Sequence, residues 1–240
     1  LVSARNAFVD PMTEPTRPRH RPELGYARGD QTRRRIVDAA IQLFGLRGYE
    51  GASTRDIARL AGVNAPALQY YFDGKEGLYR ACAEHIAGTM AAHFEPALQA
   101  AEATLARDAG REELIEAYLR LQDVMAEHLL ASSDAQDRRR FATHEQVGNG
   151  PGMLLEILDA MRPRLMRPST AIVARLTGRR EDDPLTLVRV LTLHGQLAVF
   201  HLGQRQKLDL IALPDDAQRF ALIREVVRAQ TRAVIGSWEH

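Results

Sequence analysis

The stretch from Ser53 to Phe72, STRDIARLAGVNAPALQYYF, leaves the chain few folds to choose from. It reads as two short helices joined by a tight turn. Ser53 or Thr54 caps the first, and Asp56, three residues past Ser53, has the spacing of a capping box. Ile57, Ala58 and Ala61 put small or apolar groups on one face, and Gly62 suits the left-handed residue that ends such a helix. Val63 plugs the angle, and Asn64 caps a second helix whose first turn holds Pro66, where a missing N–H costs little. Leu68 and Phe72 sit four apart and face inward, leaving Ala65, Ala67, Gln69, Tyr70 and Tyr71 to point elsewhere. A short helix with a small and aromatic outer surface, behind a capped helix and a Gly turn, is the layout of a helix-turn-helix DNA reader.

Beyond that stretch, a first helix ends in Leu43-Phe44-Gly45-Leu46-Arg47-Gly48-Tyr49, and a fourth opens with Tyr70-Tyr71-Phe72-Asp73-Gly74-Lys75-Glu76-Gly77-Leu78. Together with Ser53-Thr54-Arg55-Asp56-Ile57-Ala58, these runs make Thr32 to about Arg80 resemble the DNA-binding domain of the TetR family of bacterial transcriptional regulators. One departure stands out: Gln69 occupies a position where that family often carries Tyr. His144 to Lys207 also resembles, more loosely, the C-terminal domain of the CecR-type subgroup.

Composition excludes several alternatives. In 240 residues, 45% hydrophobic and 26% charged, there is material for one or two ordinary globular domains. The net charge of +1 marks no nucleic-acid binder by itself. Its distribution says more: up to residue 80 there are thirteen Arg and Lys against nine Asp and Glu, an excess at the proposed DNA-reading end. The single Cys82 rules out an internal disulfide and a multi-cysteine zinc module, and reads as a small core residue. With no apolar run near the roughly 20 residues that span a bilayer, and no signal-peptide core, the chain reads as cytoplasmic, without a membrane partner.

Along the chain, residues 1–29 carry Pro11, Pro15, Pro18 and Pro22 among arginines, with no helical or strand period. They read as a flexible basic arm: either a solvated tail or a supplementary DNA contact with Arg28 at its border. Ile36, Val37, Ala40, Ile41, Leu43 and Phe44 predict a helix over about 31–46. Arg33, Arg34 and Arg35 lie at its start, where the helix dipole disfavours cations, so either a phosphate outside the protein would suit them or they form a solvated face with Asp30 and Asp38. Further helices are expected over about 75–94, ended by Pro96, then 97–107, 112–131, 135–147, 153–176, 184–206 and 215–236. The expected fold is all-α: an N-terminal helix-turn-helix three-helix domain over residues 30–76, and a C-terminal helical ligand-binding and dimerisation domain over 77–240.

The resemblance assigns roles. Thr54 would hold a phosphate and Arg55 would reach the major groove. Ala65, Pro66 and Ala67 would open the recognition helix, Gln69 is suited to a bidentate bond with adenine, and Tyr70 and Tyr71 would donate hydroxyls to phosphates. Lys75 resembles the family's phosphate-clamping lysine. With Arg28, Arg33, Ser53 and Asn64, these form the expected contact set for a double-stranded DNA operator. A small-molecule effector is expected among Met90, His93, Phe94, Leu121, Met125, His128, Phe141, His144 and Met153, each of which is equally readable as core. His128, His144 and Glu145 lack the tight spacing of a metal site, and no cofactor is expected. Val188, Leu191, Gly195, Val199, Phe220, Ile223, Val227, Gln230 and Val234 are expected to pair two copies as a homodimer. No phosphate-cradling Gly loop, nucleophile elbow or His-Glu-x-x-His appears, so the chain does not read as an enzyme.

Overall fold

The computed structural model describes residues 22–130, 134–201 and 211–238, and every regular element among them is an α-helix. The expected arm up to residue 21 and the end of the 184–206 helix lie outside the described residues, as do the side chains of Arg28 and Val199. The helices are α1 (Pro22–Gly51), α2 (Thr54–Leu60), α3 (Ala65–Tyr71), α4 (Gly74–Leu105), α5 (Arg111–Leu130), α6 (Asp134–Gln146), α7 (Met153–Thr177), α8 (Pro184–His201) and α9 (Asp216–Gly236).

Two boundaries differ from the sequence expectation. Helix α1 begins at Pro22, inside the stretch read as an arm. Proline is tolerated at a first helical position, and a helix already nucleated by the buried Ile36, Val37, Ala40 and Phe44 propagates at little cost per residue. Pro96 does not end α4, which runs on to Leu105. Ala92, whose carbonyl loses its partner at Pro96, is exposed, as is Pro96, so water can replace the missing bond.

One buried cluster joins Ile36, Phe44, Ile57, Leu68, Phe72, Leu78 and Tyr79 to Phe141, Met153 and Leu154. The core holding α1–α3 is therefore completed by α4, α6 and α7. Four aromatic rings knit it: Tyr79 stacks on Phe141 at 4.5 Å and meets the edges of Phe44 and Tyr49 at 4.9 and 5.0 Å. Gly45 lets α6 approach, since a Cβ there would lie 2.8 Å from the Asp137 carbonyl oxygen.

A second cluster, with Leu98, Tyr118, Leu119, Ile172, Val190, Leu193 and Ile235, lies between the far end of α4 and α5, α7, α8 and α9. Arg111 ties the ends of α7 and α9 together, donating to the carbonyls of Leu176 (3.2 Å), Ile235 (2.8 Å) and Trp238 (3.2 Å). These are the orphan acceptors of helix C-termini, which a guanidinium satisfies several at a time. Along α9, Arg228 bonds Asp123 (2.5 Å) and Glu116 (2.8 Å), and Arg232 bonds Glu112 and Glu116, which fixes the helix against α5.

His194 on α8 stacks on Tyr118 at 6.1 Å, and burial pushes its pKa down to about 4. A base whose folded pKa lies below its ordinary 6.5 favours the unfolded chain once protons are available. Stability is unaffected above pH 6.5 and falls as pH drops from 6.5 towards 4, by roughly 3 kcal/mol in all. Urea unfolding at pH 7.5 and 4.5, at fixed protein concentration, should show a smaller acid loss in His194→Leu than in the parent.

Candidate nucleic-acid interface

The two helices of the motif are built from local caps. Ser53 Oγ accepts the Asp56 amide at 3.1 Å, which makes Ser53 rather than Thr54 the cap of α2. Gly62 takes φ +65°, Val63 N–H returns to the Ala58 carbonyl (2.9 Å) and Gly62 N–H to Arg59 (3.2 Å). That pair of bonds is a Schellman ending, and it turns the chain sharply towards α3. Asn64 Oδ1 then accepts the Ala67 amide at 2.9 Å, with Pro66 in the first turn.

Asp56 does not reach back to complete the capping box. Its carboxylate pairs with Arg47 (3.0 Å) and Arg59 (2.8 Å), and the Ser53 hydroxyl beside it, with those arginines, holds it below the ordinary carboxylate range. Arg59 is thereby tied to its own helix. Arg55 is exposed and pairs with no carboxylate among the described residues.

On α3, Leu68 and Phe72 are buried, 2% and 5% exposed, and fix the helix to the core. Ala65, Pro66, Gln69 and Tyr70 face outward, with Tyr70 84% exposed. Ala67 and Tyr71 are half-buried. An aromatic ring that exposed on a rigid short helix adds nothing to the buried core and is available to a partner. Around it, the Arg33 guanidinium lies 5.2 Å over the Phe72 ring, while Lys75 Nζ sits 4.6 Å over Tyr49 and 3.4 Å from the Glu50 carbonyl oxygen. Cations stacked on rings keep their charge and lose mobility, which suits them to meet phosphates in fixed positions. The Ser53 and Asn64 side-chain oxygens, expected to touch DNA, are engaged in the caps.

Residues 36–82 match the family described as bacterial regulatory proteins, tetR family, and residues 114–237 match the C-terminal domain of the HTH-type transcriptional dual regulator CecR. Over 178 residues the chain is 32% identical to CecR of Shigella flexneri, covering 74% of this chain and 78% of that protein. This chain belongs to the TetR family of transcriptional regulators. Solved structures share its fold. FadR of Bacillus subtilis, determined with stearoyl-CoA, aligns with TM-score 0.53 and 15% identity over 86% of this chain and 99% of its own. AibR, determined with isovaleryl coenzyme A and operator DNA, gives 0.58 and 15% over 81% and 97%. The relatives are regulators, and no enzymatic family is indicated.

In this TetR-family regulator the residues expected around an effector lie in several places. Phe141 and Met153 belong to the core beneath α1–α3, being 0% and 7% exposed. Leu121 packs in the second cluster, and Met125 against a third formed by Ala126, Leu197, Ile223 and Val227. His93, Phe94 and His128 do come together, with ring centroids 5.6–6.1 Å apart, and His144 lies apart beside Gly48. Helical periodicity reports that a face is buried, not what it is buried against. A groove of about 960 Å³ opens instead where the end of α4 meets α7, with Leu105, Ala106, Pro168 and Ala171 in its walls beside Arg167 and Arg175. None of the nine lines it. Among the described residues no group of His, Cys, Asp or Glu is placed to hold a metal, and no helix is long and apolar enough to cross a membrane.

Only part of the expected pairing surface faces outward. Val188, Leu191 and Val234 are exposed, 54%, 59% and 41%, and Gly195 and Gln230 face outward with them. Ile223 and Val227 are buried within the subunit, 3% and 6% exposed, and Phe220 is half-buried against the same cluster. The outward stripe of α9 is Leu222, Val226 and Val234. One position along a helix is a rotation of about 100°, so two apolar stripes one residue apart look alike in sequence and face different partners.

Proposed function

We propose that this regulator is a ligand-responsive repressor that binds a palindromic operator as a homodimer and is released by a small-molecule effector. The observation that carries the reading is the exposed outer face of α3, with Tyr70 almost fully in solvent and Leu68 and Phe72 anchoring the helix behind it. Residues 30–76 act as the reading head, and residues 77–240 bind the effector and pair the subunits. Thr54, Tyr70, Tyr71 and Lys75 meet phosphates, Arg55 and Gln69 meet base edges, and Ala65, Pro66 and Ala67 let the backbone lie close to the groove. Arg33, and Arg28 beyond it, flank the duplex. One head reads too few base pairs to be selective. Two heads spaced by one helical turn, roughly 34–36 Å, read an inverted repeat, and the exposed apolar faces of α8 and α9 are where the copies would pair.

Fluorescence anisotropy with an inverted repeat taken from the DNA beside this coding region tests the reading. Binding should weaken steeply with salt. Lys75→Ala should lower affinity for all sequences and reduce the salt slope by about 1, whereas substituting Gln69 should change sequence preference. An unchanged slope in Lys75→Ala would remove that phosphate contact. Because FadR and AibR were solved with acyl-coenzyme A thioesters, isovaleryl-CoA and stearoyl-CoA are the first effectors to titrate. Linkage requires operator DNA to weaken effector binding by the factor that effector weakens DNA binding; equal effector affinity with and without operator would end the release mechanism. CecR is a dual regulator, which favours activation at some promoters as a second reading, and promoter fusions in a deletion strain separate the two.

A further inference from the structure

Among the described residues Glu145 is the one carboxylate that is buried, 2% exposed, and no Lys, Arg or His among them pairs with it. A carboxyl group in such a place must have its oxygens met by hydrogen bonds. Three are present. The Tyr79 hydroxyl donates to Oε1 at 2.6 Å, the Gly152 amide to Oε1 at 3.2 Å and the Leu154 amide to Oε2 at 3.1 Å. Helix α7 has no side-chain cap of its own, since its N-cap is Gly152 in the left-handed region. The carboxylate at the end of α6 therefore serves as the anion at the start of α7, where free amides and the helix dipole favour one. The third donor comes from α4, one turn after Lys75. Burial, and then Glu145 itself, push the Tyr79 phenol well above its usual pKa, so it keeps its proton and remains a donor.

We infer that Tyr79 and Glu145 are positioning residues: their hydrogen bond to the start of α7 sets the placement of the α2–α3 head relative to the rest of the subunit. Tyr79 lies seven positions after Phe72, which follows the end of α3, so fixing Tyr79 against α7 fixes where the motif is held. The arrangement is all-or-none. Loss of any one donor leaves a buried carboxylate short of partners, and the group must then move towards water. There is room for that movement. The loop from Gly148 to Gly152 borders an open hollow of about 490 Å³ between Arg47, Tyr49, His144 and Asn149. On the loop's inner side the fit is close: a Cβ on Gly150 would collide with Glu145 Oε1 and lie 2.7 Å from the Tyr79 hydroxyl. A side chain at position 150 would have to push the bonded pair aside.

The inference rests on the head reading only for its consequence in DNA binding, so the test measures geometry first. Spin labels are placed at Leu60→Cys on α2 and Arg162→Cys on α7, both exposed positions, and labelled chains are diluted in unlabelled protein. Cys82 is fully buried, with its thiol pushed up by burial, and takes no label. Tyr79→Phe keeps the stacked ring and removes only the donor; Glu145→Gln keeps the shape and removes the charge; Gly150→Ala keeps both partners and forces them apart. All three should displace or broaden the α2–α7 distance distribution beyond its repeat error. They should also weaken binding to duplex DNA roughly 5- to 150-fold, the usual range of a coupling between sites. A distribution unchanged in Tyr79→Phe and Gly150→Ala, with only the melting temperature lowered, would reduce the bond to ordinary core cohesion and overturn the inference. A changed distribution in a protein that binds no duplex, with or without the substitutions, upholds the positioning role and sinks the DNA reading instead.

Discussion

Replacing Phe141 by Ala should cost about 3–5 kcal/mol of folding stability, the usual penalty for emptying a buried aromatic site. The ring is fully buried, stacked on Tyr79 at 4.5 Å and set edge-on to Phe44 at 6.2 Å, in a cluster formed with α1, α4 and α7. At roughly 2–4 °C per kcal/mol for a chain of this size, thermal unfolding should begin some 10 °C lower. Calorimetry at fixed protein concentration checks it. The result also separates two roles, because Phe141 was expected from sequence to line an effector cavity. A variant of near-native stability that had lost effector binding would restore that role; a destabilised variant that still binds effector fixes the residue as core.

Leu191→Asp should convert a dimer to monomers. Leu191 is 59% exposed beside Val188 on α8, and a pairing surface centred there would place a carboxylate in an apolar contact twice, once from each copy. A penalty of about 2 kcal/mol per copy already weakens dimerisation roughly a thousandfold. Sedimentation should show a monomer at micromolar concentration, and affinity for an inverted repeat should collapse while each monomer stays folded. Ile223→Asp makes the contrast. That side chain is 3% exposed inside the subunit, so the same charge there should unfold the chain rather than separate copies. If Leu191→Asp sediments as the parent does, the pairing surface lies elsewhere.

Local chemistry made the motif readable in advance. Ser53, Gly62 and Asn64 act through bonds spanning three to five residues, and those bonds form as the side chains dictate. The inward placing of Leu68 and Phe72 and the burial of Cys82 followed from period and residue type alone. Pro96 was misjudged for a reason equally physical. A proline's cost depends on whether water can reach the carbonyl it orphans, and that is a property of the packed helix.

What the sequence by itself determined is the all-helical class, the helix-turn-helix and the inward face of its recognition helix, because caps, turns and hydrophobic period are properties of neighbouring residues. Only the tertiary structure decided which surface each buried face meets. It sent Phe141 and Met153 into the core under α1–α3 and turned Ile223 and Val227 inward while Leu222 and Val226 stayed out. It also brought Tyr79 and Glu145, 66 positions apart, into one hydrogen bond. A partner that distant along the chain is fixed by how helices pack, and no local spacing encodes it.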